Sequence, residues 1–311
     1  MTRATGAELR KAASTFRKEL ERGQTPTLDR AGVSYTPLAS QLLKVLARAL
    51  LGTLFSEQIG KCGGGPGGCA LANVLPFDAQ QRRGGLDWPP VGHTMVGEQR
   101  LQNVRDSLEM VVQLGVPGDF AELGVWRGGV CIYARALLNL MCEGSRDVLV
   151  FDAFENIPGY ADLTQFLSVP EAHVRGAFDK YGVGLAGVHF FKGLFKDSLR
   201  SFRDARVAAV SGPGGSPKPI AVLRIDGNFY DSYQDALYYM YDLVPIGGVV
   251  IFDDWTHQTC RDAWADFQRD QGFSQEITKI DSVGAFFIKI ANVTVDHTKR
   301  HPPRDANIEN I

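Results

Sequence analysis

One stretch limits what this chain can fold into more than any other. It is Gly118-Asp119-Phe120-Ala121-Glu122-Leu123-Gly124-Val125-Trp126-Arg127-Gly128-Gly129-Val130, running on into Cys131-Ile132-Tyr133-Ala134-Arg135-Ala136-Leu137-Leu138. The first residues read as a short strand, the glycines as a tight turn, and the tail as a helix with apolar residues three and four apart. Strand, glycine turn and helix in this order make a nucleotide-binding turn. Gly124, Gly128 and Gly129 carry no Cβ and let a ligand approach the backbone. The amides at the start of the following helix face that ligand. The carboxylate of Glu122 then selects among ligands. It repels a pyrophosphate, which the dinucleotide fingerprint sets against the turn and helix dipole, and it welcomes an ammonium or sulfonium. Glu-x-Gly-x-x-x-Gly-Gly therefore fits S-adenosylmethionine better than a nicotinamide dinucleotide. The glycines alone leave open a strand-to-helix turn that binds nothing.

Around this turn, strands and helices alternate. A helix is expected over residues 98–113, with Leu101, Val104, Leu108 and Val111 on one side. Strands are expected at 119–123, 148–151, 188–192, 223–225 and 249–252, and helices at 132–141, 170–181, 231–243 and 260–270. Two strands at 275–279 and 284–290 close the pattern. Such alternation predicts an α/β fold with a mostly parallel sheet covered by helices on both faces. Ligands in such a fold sit outside the carboxyl ends of the strands. Ahead of it, residues 37–55 read as an amphipathic or buried helix. Residues 6–22 have helical composition with little apolar content and read as a peripheral helix or a disordered arm. The organisation expected is an arm over 1–37, a helical substrate-side region over 38–115, a catalytic domain over 116–292 and a polar tail over 293–311.

Composition narrows the partners. The 33 basic and 35 acidic residues leave a formal net charge of -2, which favours neither nucleic acid nor an anionic membrane. A small molecule is the simpler partner. The five cysteines, Cys62, Cys69, Cys131, Cys142 and Cys260, are odd in number and scattered, unlike a secreted disulfide framework. With no apolar signal core at the start and no run long enough to span a bilayer, the expectation is a cytoplasmic protein. The segment Lys61 to Cys69 reads as a flexible glycine-rich insert, and Ser211 to Pro217 as a surface loop.

Carboxylates end several strands. Asp152 follows Val150-Phe151 at the distance from the glycine turn where an acid accepts hydrogen bonds from ribose hydroxyls; a helix N-cap is the other reading. Leu223-Arg224-Ile225 leads into Asp226-Gly227-Asn228, and Ile251-Phe252 into Asp253-Asp254-Trp255. If these strands are neighbours, Asp226, Asp253 and Asp254 converge. Three such acids resist ionising together unless they share a cation. A hard divalent ion such as Mg²⁺ relieves this. The alternative is that one acid caps a helix and another pairs with Arg224.

Taken together these residues resemble the macrocin and mycinamicin O-methyltransferase family. The likeness runs from about Gln41 to Lys289. It rests on Asp87-Trp88-Pro89, His93-Thr94-Met95-Val96-Gly97 with Arg100-Leu101 and Asn103, the Glu122 to Gly129 turn, and Phe151-Asp152-Ala153-Phe154. It continues with Lys192 to Leu199, Leu223 to Gly227 and Asp253-Asp254. The resemblance implies a class I, Rossmann-like methyltransferase sheet with an N-terminal helical extension. It also implies Mg²⁺ on Asp226, Asp253 and Asp254, and methyl transfer to a hydroxyl of a small natural-product acceptor, a sugar or a polyhydroxylated scaffold. Thr94, Met95, Glu122 and Asp152 then line the cofactor site, together with the turn residues Gly124, Arg127 and Gly128 and with Asp226. Homo-oligomers are usual in the family.

One departure bears on mechanism. Where the family has Asp-Gly-Asp, this chain has Asp226-Gly227-Asn228, and the second acid is the family's proposed base. An amide cannot take that proton. Another base (His257, His93 or Asp231), an acceptor such as a catechol that ionises on the metal, or lost activity are the readings that remain. A histidine base suits neutral pH. A nicotinamide oxidoreductase on the same sheet is the competing enzyme class, and Glu122 speaks against it.

Overall fold

The computed structural model describes residues 35–54, 58–60, 74–141, 144–157, 164–210 and 217–302, with a few positions between 7 and 18. The expected insert at 61–69, most of the loop at 211–217 and the last residues of the tail lie outside the described residues. In chain order the helices are α1 (Pro37–Leu50), α2 (Ala79–Gly84), α3 (Glu98–Gln113), α4 (Gly129–Leu140), α5 (Thr164–Leu167), α6 (Glu171–Lys180), α7 (Phe195–Ala208), α8 (Tyr230–Met240) and α9 (Gln258–Gln271). The strands are β1 (Gln58–Gly60), β2 (Val74–Pro76), β3 (Asp119–Leu123), β4 (Val148–Asp152), β5 (Val188–Lys192), β6 (Ile220–Ile225), β7 (Val249–Phe252), β8 (Thr278–Lys279) and β9 (Ala285–Ile288). The last seven form one sheet, while β1 and β2 make a separate antiparallel pair.

The backbone divides into two compact units, one holding Asp106–Leu123 and Gly193 onward, the other Tyr35–Arg105 and Gly124–Lys192. In the first, β6 runs parallel to β3 on one side and to β7 on the other. The antiparallel strand β9 follows β7, and β8 pairs with β9. Every residue of β3, β6, β7 and β9 is buried, which is why these strands read as near-continuous apolar runs rather than alternations. Helices α7 and α9 pack on α8. The aromatic rings of Tyr241, Trp264, Phe267 and Phe287 meet beside them at centroid distances of 5.0–6.3 Å.

In the second unit β4 and β5 pair in parallel. Helix α4 begins directly at Gly129 because Gly128, at φ 79°, supplies the left-handed turn that starts it. It is buried along most of its length and packs against α1. Helix α1 starts at the Thr36 cap with Pro37 in its first turn. It ends at Leu50 rather than running to 55. Gly52 turns the chain at φ 73°, and the Leu50 carbonyl is taken by the amides of His93 and Thr94 at 2.7 and 3.2 Å.

Three helices were not expected, the four-residue α5 among them. Helix α7 buries only Leu199 and Phe202, a stripe too narrow to stand out in a polar sequence. Helix α2 is a six-residue element set by its ends: the Asp78 carboxylate caps Gln80 and Gln81, and Gly85 closes it at φ 63°. The segment expected as a polar tail is fastened as far as residue 301. The Arg300 guanidinium bonds Asp235 at 2.7 Å, and His301 meets Asp270 at 2.6 Å. Among the described residues no helix is long and apolar enough to cross a membrane.

Candidate active site

Parallel pairing of β3, β6 and β7 sets their carboxyl ends side by side, because Glu122 is in register with Arg224, and Arg224 with Ile251. The side chains at those ends form one group. Arg224, 2% exposed, ion-pairs with the buried Glu122, with Asp253 at 2.6 Å and with Asp226 at 3.0 Å. Burial opposes the Arg224 charge, yet Asp253, Glu122 and Asp226 outweigh it and push the guanidinium pKa upward. One oxygen from each of Asp226, Asp253 and Asp254 lies within 4.8 Å of the others. The group therefore contains four carboxylates and the Arg224 guanidinium. Burial first, then Asp253 and Asp254, raise the Asp226 pKa well above the ordinary carboxylate value, with Arg224 opposing. Burial and Asp253 raise that of Asp254, against His257, the Asn228 amide and Tyr233. Hard oxygen donors with excess negative charge fit a hard divalent cation.

Asn228 sits in the left-handed region at φ 58°, a conformation that asparagine tolerates. Its amide donates to Asp254 Oδ2 at 2.9 Å, and its carbonyl accepts from Thr259 at 2.8 Å. His257 precedes α9. Its Nδ1 is buried with no hydrogen-bond partner among the described residues, and it lies 3.9 Å from Asp254 Oδ1.

The glycine turn is organised by backbone. Gly124 turns at φ 83°, and Trp126 and Phe154 are held at φ 49° and 53°, costly for large side chains. Asp152 secures the turn: its Oδ2 accepts from the amides of Val125 and Trp126 at 2.8 and 3.2 Å, and its Oδ1 from Phe154 at 2.9 Å. Asp152 thus caps no helix. Burial raises its pKa, and the amides of Phe154, Val125 and Trp126 work against that. The glycines that follow also leave room for neighbouring protein groups. A Cβ on Gly128 would run into Val174, and one on Gly129 into the His93 carbonyl.

The segment from Trp88 to Gly97 lies along this turn and is held by two guanidiniums. Arg127 Nη1 donates to the carbonyls of Pro89, Pro90 and Gly92 at 3.1, 3.1 and 2.7 Å, and its guanidinium stacks 4.1 Å from the Trp126 ring. Arg82, 1% exposed, donates from Nη2 to Met95 and Val96 carbonyls at 2.7 and 2.8 Å, and from Nη1 to the Asp87 carbonyl at 3.2 Å. Burial lowers its pKa to about 10 against the pull of Asp87. Between these anchors the Gly129 amide donates to the His93 carbonyl at 2.9 Å. His93 Nδ1 is engaged by the Tyr181 hydroxyl at 3.0 Å, and burial, then Arg127 and Lys180, lower its pKa. Thr94 is buried and its hydroxyl accepts from Val96 at 3.3 Å.

A strand, glycine turn and helix, with acids at the ends of parallel strands, is the arrangement to compare with known proteins. The sequence profile of the macrocin O-methyltransferase (TylF) family matches residues 68–289. The chain belongs to this family. It is an S-adenosylmethionine-dependent O-methyltransferase. A tetracenomycin-C rhamnosyl 4'-O-methyltransferase of Streptomyces olivaceus is 39% identical over 223 residues, 68% of this chain and 80% of that protein. The mycinamicin III 3''-O-methyltransferase of Micromonospora griseorubida is 34% identical over 236 residues, 71% and 88% of the two chains. Among solved structures, the O-methyltransferase NovP superposes with a TM-score of 0.67 at 31% identity, covering 81% of this chain and 99% of that one.

The structure brings Asp226, Asp253 and Asp254 together with Glu122, Asn228 and His257. Glu122 pairs with the Arg224 guanidinium. Arg127 and Gly128 serve the turn and its neighbouring segment, as does Asp152. Sequence reasoning missed Tyr233, whose hydroxyl donates to Asp254 Oδ2 at 2.8 Å, and Arg82. An arginine inside the apolar run of β6 was a legible signal of a buried charge partner. Tyr233 and Arg82 carried no such signal, because helical spacing does not say which loop a side chain reaches.

Proposed function

We propose that this enzyme is a Mg²⁺-dependent S-adenosylmethionine O-methyltransferase acting on a hydroxyl of a small natural-product acceptor, a sugar or a polyhydroxylated scaffold. The observation that carries it is the convergence of Asp226, Asp253 and Asp254, which place one oxygen each within 4.8 Å of the others while only the first two pair with Arg224. The rhamnosyl and mycinamicin methyltransferases named above support the acceptor class.

Asp226, Asp253 and Asp254 would hold the metal, which would lower the pKa of an acceptor hydroxyl bound at the site. Asp152, Thr94, Met95, Gly124 and Gly128 bound the cofactor site, and Arg127 and Glu122 serve it through the groups they anchor. The protein's main work is to place the acceptor oxygen in line with the sulfonium methyl. Asn228 takes no proton, so His257 is the base: its unbonded Nδ1 lies beside Asp254. A second reading rests on the same amide at position 228: an acceptor that ionises readily, such as a catechol, needs no base. The enzyme acts in the cytoplasm, as a homo-oligomer.

Calorimetry of S-adenosylhomocysteine, with and without Mg²⁺, tests the reading on the wild type and on Asp253→Ala, with NADH as control. Cofactor binding with Mg²⁺ binding lost in the variant supports it; NADH binding, or no metal heat in the wild type, overturns it. Turnover of His257→Ala separates the two acceptors. A rhamnoside acceptor is expected to lose roughly 10²–10⁴-fold in kcat, while a catechol keeps its rate.

A further inference from the structure

The three acids are not anchored alike. Asp226 and Asp253 are both tied to Arg224 Nη2, a positive group that competes with any cation for their charge. Asp254 is anchored by neutral donors. Its Oδ2 accepts from the Tyr233 hydroxyl at 2.8 Å and from the Asn228 amide at 2.9 Å. The Tyr233 oxygen in turn accepts from the Asp254 backbone amide at 3.3 Å, and the phenol is 0% exposed on α8. Two donors on one oxygen fix the rotation of the carboxylate and commit Oδ2. That leaves Oδ1, on the His257 side, as the oxygen available to a metal.

We propose that Tyr233 is a positioning residue for the metal: its hydroxyl holds Asp254 so that Oδ1 is the oxygen offered. This rests on the metal reading above. Partners that orient metal ligands are worth about 10–100-fold in affinity. The guanidinium weakens the other two acids as donors, so Asp254 carries the larger share of the attraction and its orientation matters most.

The test is calorimetric titration of Mg²⁺, and separately Mn²⁺, into the full-length protein saturated with S-adenosylhomocysteine. The set comprises wild type, Tyr233→Phe, Asp254→Asn, the double variant of these two, and Asp253→Ala. Tyr233→Phe is expected to weaken metal binding by about 10-fold while S-adenosylhomocysteine affinity stays within twofold. In the Asp254→Asn background the same change is expected to have no further effect, because Tyr233 acts through that carboxylate. Equal metal affinity in wild type and Tyr233→Phe, or an undiminished effect in the Asp254→Asn background, overturns the proposal. No metal binding by wild type, or unaltered binding by Asp253→Ala, overturns the underlying metal reading instead. If the phenylalanine variant melts early, the bound product and titration at 10 °C restore the folded state by mass action. The wild-type comparison is made under the same conditions.

Discussion

The carboxyl ends of β3, β6 and β7 and the glycine turn from Gly124 to Gly129 solve opposite problems. At the strand ends, charges are crowded and side chains do the holding: Arg224 is shared by Glu122, Asp226 and Asp253. At the turn, the chain is bent into left-handed conformations, and backbone groups do the holding. Asp152 accepts three amides there, while Arg127 and Arg82 donate to five carbonyls between Pro89 and Val96. Side-chain anchoring leaves net negative charge at the strand ends, whereas backbone anchoring fixes the shape of the turn. A substitution should therefore damage the first through electrostatics and the second through geometry.

Arg224→Met is the largest expected break. It leaves buried acids without their counterion and should cost about 3–5 kcal/mol of stability, read by urea unfolding. A cost below 1 kcal/mol would mean that the acids relax into water and that the contrast drawn above is false. Gly129→Ala comes next. Its Cβ overlaps the His93 carbonyl, so about 1–3 kcal/mol is expected, together with weaker S-adenosylhomocysteine binding. Arg127→Ala removes donors from three carbonyls at the rim of the turn and should cost about 1–2 kcal/mol. Arg127→Lys should recover part of the cofactor affinity in the same calorimetry, since an ammonium can still donate to those carbonyls.

The smallest effect is on pH dependence in metal-chelated protein. Burial and like charges raise the folded pKa of Asp226. Its contribution to stability is full below the unfolded carboxylate value of about 4 and is lost as pH rises through the folded value. The melting temperature should thus fall on raising pH from about 4, and Asp226→Asn should flatten the curve. Asp152→Asn should flatten it less, because three backbone amides offset burial there.

How much of this was legible differs between the two regions. The acids could be found because strand ends follow from the apolar runs that precede them, and register in a parallel sheet then brings those ends together. Glycines marked the turn equally well, but the reason for them was only half visible. Gly128 and Gly129 admit Val174 and the His93 carbonyl, neighbours 46 and 36 positions away in the sequence. Arg127 was placed at the cofactor site because it stands in the turn; that its Nη1 donates to three carbonyls of another segment was not legible. Helix α7 escaped because two buried residues, Leu199 and Phe202, are too few to mark a helical face.

By itself the sequence determined the α/β alternation, the glycine turn, the family and the acids. These follow from local periodicity, from the conformations only glycine adopts cheaply, and from the chemistry of carboxylates at strand ends. Only the tertiary structure decided the partners: Arg224 with Glu122 across the sheet, Asp152 with the amides of the turn, Arg82 with Met95, and Tyr233 with Asp254. The reason is physical. A residue's position along a strand or helix is set by near neighbours, whereas its hydrogen-bond partner is whatever group folding buries beside it, here up to 102 residues away.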